Sequence, residues 1–118
     1  FRLPKKTSKQ KIKREESILI ATKNAIETPL LIMRKCNKLL TIVKGLIKHG
    51  NKSSFSDTAV SVELLNASIR GASYNIKINL KDISDDNYIS SITKESNSIM
   101  DKSSIIYKEI LKEIDKEL

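Results

Sequence analysis

Only three glycines and two prolines punctuate the 118 residues. A chain built from many short elements needs more of both, because glycine supplies unusual backbone angles and proline stops helices and strands. A few long, uninterrupted elements are therefore expected, making one domain or a piece of one. Ile, Leu, Lys, Glu and Asn dominate and aromatic residues reach only 4%. That profile points to helices.

Apolar spacing gives the expected order. A first helix begins at Thr7, where Gln10 three residues on completes a capping box, and runs to about Glu27. Thr28-Pro29 reads as the N-cap and first position of a second helix, where the missing donor of proline costs nothing. Leu30, Met33, Asn37, Leu40, Lys44 and Ile47 follow its seam, with Leu31, Leu39, Val43 and Leu46 widening it. Lys48, His49 and Gly50 close it, a cationic last turn followed by a glycine suited to the left-handed position.

After the loop 51–55, Ser56 or Asp57 is expected to cap a third helix. From Thr58 to Leu80 this helix carries only three charges, Glu63, Arg70 and Lys77, seven apart on one narrow stripe with Asn66 and Ser73 between them. A helix apolar almost all round is expected to be buried on several sides, as the central element. The alternation Tyr74, Ile76, Ile78, Leu80 competes as a strand signal, but helical spacing persists from Ala59. Asp85 or Asp86 caps a last helix, with Ile89, Ile92, Ser96, Ile99, Ser103, Ile106, Ile110 and Leu111 on one face. The fold class expected is all-α, an antiparallel bundle of about four long helices over residues 1–118.

Charge and cysteine usage narrow the functional classes. The formal charge is +8, and Arg2, Lys5, Lys6, Lys9, Lys11, Lys13 and Arg14 put seven positive charges in the first fourteen residues. Such a segment can contact nucleic-acid phosphates, but only Phe1 is near enough to stack on bases. A solvated, lysine-rich helix end is the plainer reading, and attraction of an anionic small molecule is a third. The single Cys36 excludes an intrachain disulfide, so the expected compartment is the reducing cytoplasm. No run approaches the roughly 18 apolar residues of a membrane span, so no membrane partner is expected. His49 is the only histidine and no nucleophile elbow, glycine-rich phosphate loop or metal-ligand cluster accompanies it. No metal is expected, and residue chemistry alone assigns no catalytic group.

One segment carries more. His49-Gly-Asn-Lys-Ser-Ser-Phe-Ser-Asp57, followed by an apolar helix ending Asn75-Ile-Lys-Ile-Asn-Leu80, resembles the cyclodeaminase/cyclohydrolase family of folate enzymes. That family pairs a Gly-Asn with a nearby Ser-Asp, then a long helix ending close to Asn-Val-Arg-Ile-Asn-Leu. Arg2-Leu3-Pro4-Lys5 resembles its Arg-Leu-Pro-Lys, and Thr28-Pro29-Leu30 its next proline. The resemblance covers almost the full chain in the right order.

The resemblance implies an all-helical, usually dimeric domain acting in folate one-carbon metabolism. Members close 5-formiminotetrahydrofolate with loss of ammonia or open 5,10-methenyltetrahydrofolate with water. It implies a tetrahydrofolate derivative as substrate, a homodimer, and a loop site at Asn51, Ser56 and Asp57, with Lys5 and Lys6 drawing in the glutamate tail. The family's Gly-Gly-Gly-Ser-like segment, and its acidic residue before Arg-Leu-Pro-Lys, have no counterpart here. The expectation is thus a domain lacking its N-terminal part, from an enzyme parent, and inactive alone. The alternative is a non-catalytic basic helical module that docks on a partner or nucleic acid.

Overall fold

The computed structural model describes residues 7–118, and every regular element among them is helical. Helix α1 spans Ser8–His49, α2 spans Phe55–Leu80 and α3 spans Asp86–Glu117, with a short 3-10 turn at Lys52–Ser54 leading into α2. All-α is therefore the observed class, with three α-helices among the described residues rather than about four. The body measures 66 × 25 × 16 Å and its radius of gyration is 19.4 Å. A compact domain of this length has a radius of gyration of about 13–14 Å. The protein is a rod.

The helix count falls because the break expected at Thr28-Pro29 does not occur. Pro29 lies inside α1 with its ring buried. Its missing N–H leaves the Ala25 carbonyl without a helical donor. Thr28 does not cap; its hydroxyl bonds back to the Asn24 carbonyl at 3.3 Å, as threonine does within a helix. Ile26, Leu30 and Met33, all fully buried on the same face, hold the helix together across the gap. At 1.5 Å per residue, the 42 residues of α1 reach about 63 Å, so α1 alone sets the length of the rod.

Contacts between α1 and α3 ascend together along both helices. Lys23 lies 4.6 Å over the Tyr88 ring, Arg34 pairs with Glu95, Asn37 with Ser103 and Lys44 with Glu109. These two helices run side by side in the same direction, and α2 lies against both. The core is one cluster: Ile26, Leu30, Met33 and Leu40 from α1, Val62, Ile69, Ala72 and Ile76 from α2, and Ile92, Ile99, Ile110 and Ile114 from α3. The α1 and α2 sets step by three, four or seven residues and the α3 set by four, seven or eleven, spacings that keep one stripe turned inward. Burying each large aliphatic side chain contributes about 1.5–3 kcal/mol. Ser96 and Ser103, 3% and 2% exposed, are the small residues in that stripe of α3. Before Ile26, no residue of α1 is fully buried, in keeping with the irregular spacing there.

Helix α2 departs from its expected central place. Val62, Ile69 and Ile76 are buried, but Val60, Leu64, Tyr74 and Ile78 are 58–63% exposed. Both other helices pack on one side of α2 and leave its back open. Leu31, Leu39 and Leu46, expected to widen the seam of α1, likewise face solvent, whereas Val43 packs on the core.

Helix ends follow local chemistry. Thr7 and Gln10 form the reciprocal capping box, each bond 3.1 Å. Asp85 caps α3, accepting from the Tyr88 amide at 3.1 Å. Gly50 is not left-handed: its φ of −80° and ψ of 166° are extended. Close approach explains glycine here, since a Cβ would lie 2.7 Å from the Leu46 carbonyl oxygen.

Candidate functional site

The loop between α1 and α2 gathers three of the expected site residues. Asn51 caps the 3-10 turn, its Oδ1 accepting from the Ser53 amide at 3.1 Å. The N-cap of α2 is Ser54, not Ser56 or Asp57. The Ser54 hydroxyl donates backwards to the Asn51 carbonyl at 3.0 Å, so it gives α2 no side-chain cap. Because the 3-10 turn winds straight into the helix, Ser56 and Asp57 fall in the first turn of α2, both exposed. Asp57 there offers a negative charge to free helix N–H groups. Ser56 lines a shallow cleft with Lys52, Phe55, Glu117 and Leu118, which places this junction against the end of α3. Lys5 and Lys6 lie outside the described residues.

A second concavity lies between α2 and α3, about 260 Å³, lined by Asn66, Arg70, Ser104, Tyr107 and Lys108 over an apolar floor of Ile69, Met100 and Leu111. The phenol of Tyr107 donates to the Glu63 carboxylate, 2.8 Å from each oxygen. That bond, reinforced by partial burial and by the charge of Glu63, pushes the phenol above its ordinary pKa. Tyr107 therefore keeps its proton and serves as a donor. Ser103 turns the other way and donates to Asn37 Oδ1 at 2.8 Å. Arg70 and Lys108, both exposed at the rim, make the concavity receptive to an anion. Sequence reasoning assigned no role to Tyr107 or Ser104; the available signal was the seven-residue spacing of Glu63, Arg70 and Lys77 with Asn66 between them.

Ion pairs flank the seam of α1 and α3. Arg34 Nη2 donates to Glu95 at 2.8 Å, and this bond holds the Glu95 carboxyl below the usual range. The Lys44 ammonium does the same for Glu109. Cys36 is half-buried and its thiol is pushed up by burial, which suits a packing residue rather than a nucleophile. His49 ends α1, exposed, as a favourable partner of the helix dipole. Among the described residues, no group of three His, Cys, Asp or Glu side chains is placed to hold a metal ion. No helix among them is long and apolar enough to cross a membrane.

Comparison with known proteins adds a relationship. The sequence profile described as formiminotransferase-cyclodeaminase matches residues 1–98. The formimidoyltransferase-cyclodeaminase of Gallus gallus is 36% identical over 88 residues, 75% of this chain and 16% of that protein. That of Dictyostelium discoideum is 37% identical over 87 residues, 74% of this chain and 16% of that protein. The methenyltetrahydrofolate cyclohydrolase of Methylorubrum extorquens is 29% identical over 100 residues, 85% of this chain and 48% of that protein. The chain thus spans between about a sixth and about half the length of these relatives. The matched segment contains Gly50-Asn51, Ser56-Asp57 and the whole of α2.

Proposed function

Because the chain belongs to the formiminotransferase-cyclodeaminase family, we propose that it serves folate one-carbon metabolism, as part of an enzyme acting on 5-formiminotetrahydrofolate or 5,10-methenyltetrahydrofolate. The observation that carries this reading is the family match over residues 1–98, which takes in the loop before α2 and α2 itself.

The two reactions share a centre and differ in the direction of proton flow. In cyclisation, folate N10 attacks the formimino carbon, a C–N10 bond forms and the C–N bond to departing ammonia breaks. The formimino nitrogen carries one hydrogen and leaves as ammonia after taking up two protons, one of them matching the proton that N10 gives up, so an acid must stand beside it. In hydrolysis, water adds to the methenyl carbon and gives up a proton to a base; one C–N bond of the ring then breaks as the carbinol becomes a carbonyl, its hydroxyl proton passing to the released nitrogen. Asn51, Ser56 and Asp57 supply polar contacts for the pterin at the start of α2, where exposed N–H groups favour an acceptor. Lys5 and Lys6 attract the anionic glutamate tail. The proton carrier is assigned to none of these residues, and the 118-residue chain alone is expected to lack turnover.

A homodimer in a reducing cytoplasm belongs to the same reading. It is supported by the unpartnered apolar back of α2 and by the single, half-buried Cys36. The test is activity of the protein as its own gene expresses it. Loss of the methenyl chromophore, or release of ammonia from 5-formiminotetrahydrofolate, is expected. Inertness toward both substrates overturns the reading.

A further inference from the structure

The concavity between α2 and α3 joins an apolar floor to polar groups that the fold does not use. Asn66 and Arg70 lie one turn apart on α2, as Ser104 and Lys108 do on α3. Each helix thus contributes a neutral polar side chain and a cation at the same spacing. The ion pairs among the described residues are Arg34–Glu95, Lys44–Glu109, Lys52–Glu117 and Lys116–Glu113, which leaves Arg70 and Lys108 without a carboxylate of their own. Ser61 and Ser68 return their hydroxyls to backbone carbonyls at 2.9 and 2.8 Å. The Ser104 hydroxyl and the Asn66 amide, both half-buried, make no such bond among the described residues.

We propose that this concavity is a binding site for a small aromatic monocarboxylate, its ring on Ile69, Met100 and Leu111 and its carboxylate held by Arg70 and Lys108. Arg70 lies thirteen residues beyond Asp57, about 20 Å along α2, so the site is separate from the loop and independent of the folate reading.

Size, floor and charge each select that class. A volume of about 260 Å³ suits a single ring, since pockets for drug-sized molecules run from about 300 to 1,000 Å³. In the floor, the Met100 thioether favours contact with an aromatic edge, and the Tyr107 ring lines the same wall. Glu63, held in place by both bonds from Tyr107, offsets one of the two cations and leaves a single excess positive charge. A monoanion matches that charge; a dianion meets the Glu63 carboxylate uncompensated. Because the Tyr107 proton points at Glu63, its oxygen offers a ligand only lone pairs, which steers the carboxylate to Arg70 and Lys108. The Arg70 charge opposes the upward push that the Glu63 bond, first, and then burial exert on the phenol, so the guanidinium stands close by.

Titration of benzoate into the gene-encoded protein, followed by calorimetry and by the ring resonances of Tyr107, tests the site. A dissociation constant below about 1 mM is expected, as for a small ligand that uses its few atoms well. Phosphate, which lacks the ring, and benzamide, which lacks the charge, should each bind at least about ten-fold more weakly. Arg70→Gln and Lys108→Gln, both at exposed positions, should each weaken benzoate by about three- to ten-fold and leave the melting temperature unchanged. Glu63→Gln removes the local carboxylate and should raise the affinity for phthalate, a dianion, more than that for benzoate. Absence of binding by both methods up to about 10 mM benzoate overturns the proposal. Phosphate bound as tightly as benzoate, or benzoate binding that both cation variants leave unchanged, overturns it equally. None of these outcomes bears on the folate reading, which turnover decides.

Discussion

The Ser103 hydroxyl, almost wholly buried on α3, donates to Asn37 Oδ1 on α1 at 2.8 Å, fixing the register of two helices that run the same way. Ser103→Ala strands a half-buried amide oxygen and is expected to cost about 1–3 kcal/mol. Asn37→Leu with Ser103→Ala removes both polar groups and should recover most of that loss. Urea melts of the single and double variants check both outcomes through their coupling energy.

The three glycines should respond with opposite signs to alanine. A Cβ at Gly50 meets the Leu46 carbonyl oxygen at 2.7 Å, a backbone atom that cannot swing aside. Gly50→Ala should therefore destabilise by about 0.5–3 kcal/mol, through crowding at the end of α1. Gly45 and Gly71 lie within helices and a Cβ at either meets nothing within 4 Å. Alanine at each should stabilise by about 0.5–1 kcal/mol. Thermal melts of the three variants decide it.

Acid should act partly through Glu95. Its folded-state pKa is depressed, chiefly by the hydrogen bond from Arg34, so the stabilisation is present above the unfolded value of about 4.3 and is lost as pH falls through the lower folded value. With side chains 45% and 39% exposed, the Arg34–Glu95 pair belongs with surface pairs worth about 0–1 kcal/mol. Glu95→Gln should flatten that part of the stability profile below about pH 4.5 and leave its slope near neutrality unchanged. Denaturant midpoints measured from pH 3 to pH 7 give the comparison.

Asp57 separates a binding role from a structural one. It sits in the first turn of α2 with Ser54 before it as N-cap, so Asp57→Asn removes a dipole interaction and leaves the cap position untouched. A structural role predicts a loss of about 0.3–1 kcal/mol and, if the proposed folate activity holds, unchanged turnover by the gene-encoded protein. A folate-site role predicts a large fall in turnover with the helix content intact. Steady-state rates beside a melt of the same variant distinguish the two.

Much of this fold could be read from spacing. The Thr7–Gln10 box, the Asp85 cap and the inward stripe of α3 each depend on residues within a few positions, and each is present. Thr28-Pro29 misled because local chemistry there favours a helix start, whereas burial of Ile26, Leu30 and Met33 on one face makes a continuous helix the better packed choice. The open back of α2 was hidden for another reason: composition reports that a face is apolar, but not how many neighbours exist to cover it. At the site, Asn51, Ser56 and Asp57 share a junction, as contiguity alone would bring about. The contact of Glu63 with Tyr107 spans 44 residues and depended on how α3 lies across α2.

Pro29 also sets how the longest helix breathes. It brings no amide proton and leaves one carbonyl of α1 unbonded, so a zipper of hydrogen bonds that would otherwise open as one has a seam near its middle. On the N-terminal side only Ile26, close before the proline, is fully buried and no earlier residue of α1 is; on the C-terminal side Leu30, Met33 and Leu40 anchor it to the core. The two stretches therefore form separate units of deuterium exchange. Amides before Ile26 exchange through local fraying of single turns, while those around Met33 wait for the whole bundle to come apart.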